Sequence, residues 1–313
     1  MRILVTGGAG FIASHLVDRL VTEGHRVSVV DDLSTGSEEN LNPSAEFFKA
    51  DIRDFSAVQE VFQRCRPEMV SHHAAHVNVS RAVADPMRDA SVNVLGTVNL
   101  LQLSAERACA GFIFISSGGA IYGDPKKLPV AESHPPRPLS PYGVSKCCGE
   151  CYVEYYRRSR GLKGAILRYP NVYGPRQNPH GKAGVVAIFT LAMLAGKRPT
   201  IFGDGTKTRD YVYVEDIIEA NMAAMFRADA EGCFNLGSGI ETSDRQVFET
   251  VREMTGADVE PIHCDFRPGE VHRISLDSAL AARGLAGWRA RTSFREGVRR
   301  SVEFYRNQVS RAS

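Results

Sequence analysis

No apolar run among the 313 residues reaches the roughly 18 residues that a membrane-spanning helix needs, so none is expected. An excess of charge is missing too. The chain sets 38 Lys and Arg against 36 Asp and Glu, a net +2, which argues against a nucleic-acid or anionic-membrane partner. A disulfide framework is also absent: the seven cysteines are odd in number and irregularly spaced, and read as reduced thiols. Met1 leads straight into a strand-type run rather than a signal peptide, and together these features predict a cytoplasmic protein. There is no internal repeat, low-complexity tract or long linker. At this length the expectation is one large α/β unit, or two closely joined ones, of ordinary globular composition.

What is present begins at residue 2. Arg2–Thr6 (RILVT) is an apolar run of strand type, followed at once by Gly7-Gly8-Ala9-Gly10. Phe11–Glu23 then carries Ile12, Leu16 and Leu20 at helical spacing, Gly24 stops the helix, and Arg26–Val30 runs into Asp31-Asp32. A strand, a Gly-rich turn and a helix N-terminus form a cradle for a pyrophosphate. Glycine lets the backbone approach the phosphates where a β-carbon would collide. An acid at the end of the second strand, about 20 residues past the turn, suits ribose hydroxyls and repels a 2′-phosphate, which favours NAD over NADP. The spacing is Gly7-x-x-Gly10-x-x-Ala13, a variant typical of short-chain dehydrogenases/reductases.

Further along, Glu68–Ser71 is a strand running into His72-His73-Ala74-Ala75-His76. The histidines lack a helix-borne HExxH and a nearby carboxylate, so they are expected to line a cofactor crevice and hold no metal. Pro86–Cys109 reads as one long helix with Asn93 near its start. Gly111–Ser116 is a buried strand opening into Ser116-Ser117-Gly118-Gly119-Ala120. After a Pro-rich loop, Tyr142 and Lys146 stand four residues apart and share one helix face. A phenol is a poor base at neutral pH, but an ammonium beside it favours the phenolate. A serine hydroxyl from the Ser116-Ser117 strand end can share the substrate proton, and Ser117 is the assigned donor. Cys147, Cys148 and Cys151 on the same helix read as small fillers.

These segments, with LRYPNVYGPRQ, IFGDGTKTRDYVYVEDI, FNLGSG and RPGEV, resemble the extended short-chain dehydrogenase/reductase family over essentially the whole chain. Within it the resemblance is strongest to UDP-glucose 4-epimerases of the bacterial and archaeal type. It implies a Rossmann-type doubly wound parallel sheet over residues 1–168, with returning segments near 210–237. A smaller interleaved nucleotide-sugar-binding α/β domain would then occupy mainly 169–313. The implied cofactor is NAD, held by Gly7, Gly10, Phe11, Ile12, Asp31 and Asp32, with Asp51 and Ile52 at the adenine. His73, Ala74, Ala75, Asn93, Ser116 and Tyr169 are implied to line the rest of the cofactor, together with Tyr142 and Lys146.

The implied catalytic set is Ser117, Tyr142 and Lys146, acting at C4 of a UDP-hexose. For the substrate, the resemblance assigns Asn171, Arg209 and Arg267 to the pyrophosphate, Val185 and Val186 to the uracil end, and Glu270 to the uridine ribose. Arginine suits a phosphate clamp as a planar, always charged donor. Ile274, seven residues after Arg267, stands where some relatives carry Tyr, which implies room for an N-acetyl group. A homodimer through the Pro86–Cys109 helix and the helix of Tyr142 is likewise implied. A 4,6-dehydratase or a decarboxylase would need acids that Gly118-Gly119-Ala120 does not offer. A uronate epimerase, a keto-sugar reductase and a non-catalytic NAD-binding sensor remain as alternatives.

Overall fold

Apolar runs with little alternation settle where both faces of a strand are covered. β1 (Arg2–Thr6) is such a strand, buried from Ile3 onward. The computed structural model describes residues 1–179, 184–227, 229–266 and 271–312. From β1 the chain passes through α1 (Phe11–Thr22), β2 (Arg26–Asp31), β3 (Glu46–Lys49), α2 (Phe55–Cys65) and β4 (Met69–His72). Two short helices follow, α3 (Val79–Ala84) and α4 (Pro86–Ala90), then a π-helical turn at Ser91–Leu95 and α5 (Gly96–Glu106). β5 (Gly111–Ser117) runs into a single helical turn, α6 (Gly118–Ile121). α7 (Pro141–Arg160) and β6 (Gly164–Tyr169) complete this half.

The order of the seven parallel strands is β11-β6-β5-β4-β1-β2-β3, with β11 (Gly232–Asn235) contributed from far along the chain. Successive strand residues point to opposite faces. Ile3 and Val5 therefore enter a core with α1, while Leu4 enters the other with α2 and α5. Because β1 lies between β2 and β4, the strand order reverses there, and the crevice outside the carboxyl ends opens at that point.

The rest of the chain builds the smaller part. β7 (Asn171–Tyr173), α8 (Val185–Leu194), β8 (Thr200–Phe202), β9 (Thr208–Arg209) and β10 (Tyr211–Tyr213) lead into α9 (Val214–Phe226). After β11 come β12 (Thr242–Ser243), α10 (Asp244–Thr255), β13 (Ile262–Cys264), α11 (Ala279–Gly284) and α12 (Phe294–Ala312). Three two-stranded pairings, β10 with β7, β12 with β9 and β13 with β8, stitch this part together. Buried Asp210 is a knot in it, accepting from the backbone N–H groups of Ser238, Gly239 and Leu276 and from the Ser238 hydroxyl.

One reading of the sequence needs correction. Pro86–Cys109 is not a uniform helix: the π turn widens it at Ser91–Leu95, and the α-helix ends at Glu106. Such turns break the i→i−4 ladder for a local purpose that a hydrophobic period does not register.

Candidate active site at the strand crest

Gly7 ends β1 in the left-handed region (φ +71°), and a β-carbon there would lie 2.7 Å from the backbone nitrogen of Ala74. The turn thus closes only with glycine. Gly10 caps α1 without a side chain, and the helix has no acid in its first turn. Its leading N–H groups are offered to an anion rather than to a protein carboxylate. Asp31 sits at the end of β2 and accepts from the N–H groups of Ala9 (3.0 Å) and Leu33 (2.8 Å), so the acid also shapes the Gly turn. Burial raises its pKa, those two bonds oppose the rise, and neighbouring Asp32 adds to it. Asp32 is exposed and accepts from Ser34 N–H. A dinucleotide fits this cradle in all three respects: close backbone approach, unpaired helix N–H groups and a strand-end carboxylate.

Further out, Asp51 is forked by Arg53, which holds its carboxyl below the usual range. Ile52 is buried against Gly96.

The histidine cluster resolves into separate tasks. His72 is buried, with one ring nitrogen 2.7 Å from the Thr6 hydroxyl and the other 2.9 Å from that of Thr97. His73 pairs with the Ser71 hydroxyl, and burial drives its pKa down to about 3. The loop through Ala74 and Ala75 is pinned at its first residue, where the Ala74 N–H donates to the Thr6 hydroxyl. Asn93, on the π turn, accepts from the His76 N–H and donates to the His76 carbonyl and to Asp89. Both its amide hydrogens are therefore used inside the protein, so it holds the crevice loop rather than offering a donor to the cofactor. Among the described residues no group of His, Cys, Asp and Glu is arranged to hold a metal.

The catalytic candidates converge at the next strand end. Ser140 caps α7 by accepting from Gly143 N–H, and a β-carbon at Gly143 would lie 2.5 Å from the Ala120 carbonyl. This glycine lets the first turn of α7 press on α6, and Ser117 acts on the Tyr142 phenol there, favouring its ionised form. Ser116 points to the other side of β5, where its hydroxyl donates to Glu150 at 2.5 Å. The structure thus separates the two serines, and strand alternation turns the Ser116 side chain to Glu150. Glu150 in turn takes a two-pronged bond from Arg168.

Lys146 is buried, donates to the Ile115 carbonyl at 2.8 Å, and sits 5.9 Å from the Tyr142 ring centre. Burial lowers its pKa to about 8, against the pull of Asp89 and Glu150. Burial pushes the half-buried Tyr142 phenol up to about 12, with the Ser117 bond opposing and Asp89 adding to the rise. The expected lowering of the phenol by Lys146 does not prevail in the protein alone, because the ammonium is directed at a backbone carbonyl and desolvation is the larger effect. Tyr169, at the end of β6, accepts from Asn221 through its hydroxyl and sets its ring 6.4 Å from that of His73.

Residues 3–237 match the NAD dependent epimerase/dehydratase family. The chain belongs to that family. It is 46% identical over 305 residues to a putative UDP-glucose 4-epimerase of Methanocaldococcus jannaschii, covering 97% of this chain and 98% of the relative. Its structure superposes with TM-score 0.96 on a UDP-glucose 4-epimerase from Thermotoga maritima solved with UDP-glucose. That pair shares 47% identity, over 99% of this chain and 100% of the other. A Thermus thermophilus UDP-glucose 4-epimerase in complex with NAD matches with TM-score 0.93 and 44% identity, over 98% and 99% of the two chains.

On the substrate side of this epimerase/dehydratase chain, Asn171 opens β7, and its side-chain oxygen would lie 3.6 Å from a β-carbon at Gly119; the Ser117 hydroxyl would lie 4.0 Å from the same point. Arg209 is half-buried on β9 and donates to the carbonyl of Thr208 at 2.7 Å. Val185 is half-buried, but Val186 is 1% exposed inside the main core. Consecutive helix residues point about 100° apart, so the two side chains do not share one surface. Arg267 and Glu270 lie outside the described residues. Ile274 is 2% exposed in a closed apolar cluster with Ile121, Tyr122, Val130, Val271 and Leu276. Asp89, Ser145, Glu150 and Arg168 stand close to the chemistry and carry no signal in the sequence. Each is a charged or polar residue on a helix or strand, indistinguishable by type from one facing solvent.

Proposed function

We propose that this chain interconverts UDP-galactose and UDP-glucose by reversible oxidation at C4. The observation that carries the reading is the meeting of Ser117, Tyr142 and Lys146 at the strand crest that also holds the Gly7 turn and Asp31. When bound, NAD would supply the hydride acceptor and later the hydride donor. Gly7, the start of α1 and Asp31 would hold it. Tyr142, as phenolate, takes the proton of the sugar 4-hydroxyl as the C4 hydride leaves, and the Ser117 hydroxyl shares that proton. Lys146, protonated, favours the phenolate form of Tyr142 that accepts this proton. After the 4-keto sugar presents its opposite face, Tyr142 returns the proton as the hydride returns, and C4 is inverted with no net redox change. Asn171, Arg209 and Arg267 would hold the pyrophosphate.

Gly118 and Gly119 support epimerisation over dehydration. A dehydratase needs an acid and a base beside C5 and C6, and a β-carbon at Gly118 would lie 2.4 Å from Leu276. A homodimer is supported by the apolar side chains left exposed beside the crevice helices: Met87 and Leu95 before α5, and Val144, Tyr152 and Tyr155 on α7. The cytoplasm is supported by seven unpaired cysteines. No helix of the described residues is long and apolar enough to cross a membrane.

The test is incubation of purified protein with UDP-galactose, or with UDP-glucose, without added NAD and then with it, followed by proton NMR. The same final mixture from either side is the expected result. No interconversion in either condition overturns the reading.

A further inference from the structure

Asp89 takes no part in the chemistry just described, yet it lies at the centre of the site's polar contacts. Its side chain is 0% exposed. It accepts from the Ser145 hydroxyl at 2.7 Å and from the Asn93 amide at 3.0 Å, and the His76 ring nitrogen lies 3.2 Å away. These three donors come from α7, from the π turn and from the loop after β4. α3 also packs on α4, but its only charged residue, Arg81, is exposed. A buried carboxylate with no arginine or lysine in contact is costly unless a cation stands nearby. Lys146 meets that need: it is 4% exposed, and its ammonium donates to an uncharged carbonyl.

We propose that Asp89 is a positioning residue for the Tyr142–Lys146 pair, tying the first turns of α7 to the π turn through Ser145 and supplying the counter-charge to the buried Lys146 ammonium. The effect on both members supports this. Asp89 opposes the loss of the Lys146 proton and also opposes ionisation of Tyr142. Glu150 is the other acid acting on Lys146, while His72 and His73, which face it across the crevice, are held neutral by burial. The charge on Asp89 therefore moves both ends of the working pH range in one direction.

The proposal rests on the reading of Tyr142 as base and Lys146 as its cation, so the wild type is assayed first for UDP-galactose turnover. In the proposed cycle, where the positive ring of bound NAD would lower Tyr142 from its value in the protein alone, the acid limb of kcat reports Tyr142 and the alkaline limb Lys146. Asp89→Asn keeps shape and hydrogen-bonding capacity while removing the charge. Both limbs are expected to move to lower pH, by about one unit, with UDP-galactose KM and retained NAD per chain within about twofold. Ser145→Ala cuts the tether and leaves the charge, so kcat is expected to fall about tenfold with the limbs in place. Limbs that stay put in Asp89→Asn overturn the proposal.

A second readout needs no turnover. In thermal unfolding, Lys146→Met is expected to lower the midpoint more in the wild-type background than in Asp89→Asn, because the first leaves a buried charge unpaired. Equal effects overturn the proposal. Should Asp89→Asn alone fail to fold, folding of the double variant supports the pairing, and its failure overturns it. An inert wild type with a coupled cycle would instead reject the function and keep the pairing.

Discussion

Ser116 and Ser117 are adjacent and chemically identical, and one residue of strand alternation gives them different tasks. Ser116 is locked to Glu150 further along α7, while Ser117 acts on Tyr142. Ser117→Ala is expected to lower kcat by about a hundredfold with little change in thermal midpoint, since it removes a proton-sharing partner at the reacting oxygen. Ser116→Ala is expected to do the reverse. It removes one buried hydrogen bond to a carboxylate that keeps its arginine, costing about 1–2 kcal/mol of stability with kcat nearly unchanged. Initial rates and denaturant midpoints on both variants check this, and a larger rate loss in Ser116→Ala would exchange the assignments. The pKa values follow the same residue-scale logic. Tyr142 near 12 and Lys146 near 8 describe a pair that the protein alone leaves protonated at neutral pH, with burial as the larger effect at both groups.

At the scale of elements, the β1–α1 turn and the π turn show the two extremes of legibility. The first is legible because a sharp turn against another backbone leaves only glycine as a solution: Gly7 has φ +71°, and Ala74 stands where a side chain would begin. Gly7→Ala is expected to lower the thermal midpoint by several degrees, consistent with a strain of about 1–3 kcal/mol for an alanine held in that region. It is also expected to reduce the NAD released per chain on acid extraction to below half the wild-type amount. Wild-type content at a lowered midpoint would separate the turn from cofactor retention. The π turn is the opposite case. Its residues, SVNVL, have ordinary helical character, and the widening is decided by partners 17 residues upstream, where Asn93 grips both backbone groups of His76.

For the whole molecule, apolar side chains stay exposed along the α4–α5 stretch and α7, and the proposed dimer would form there. Leu95 and Tyr152, 60% and 41% exposed, are the residues to change. The wild type is expected to sediment as a dimer, and Leu95→Glu/Tyr152→Glu as a monomer with an unchanged far-ultraviolet spectrum. A monomeric wild type at micromolar concentration overturns the dimer. The two parts of the chain are joined by more than a linker. β11 completes the sheet beside β6, and Asp210 gathers four donors from segments 28 to 66 residues away.

The sequence by itself determined the strand order of chemistry along the chain: the Gly turn, the acid at the end of β2, the serines at the end of β5, and the i, i+4 pair on α7. Each rests on local rules, since turn sterics, strand-end position and helical period act over a few residues. The tertiary structure alone decided how buried charges are matched. Asp89 meets Ser145 and Asn93 across helices, and Glu150 meets Arg168 and Ser116 across the sheet. It also decided that the side chains of Val186 and Ile274 are buried in apolar clusters. Those outcomes depend on which surfaces are brought together after the chain has closed, and the free energy of a buried charge depends on neighbours distant in sequence.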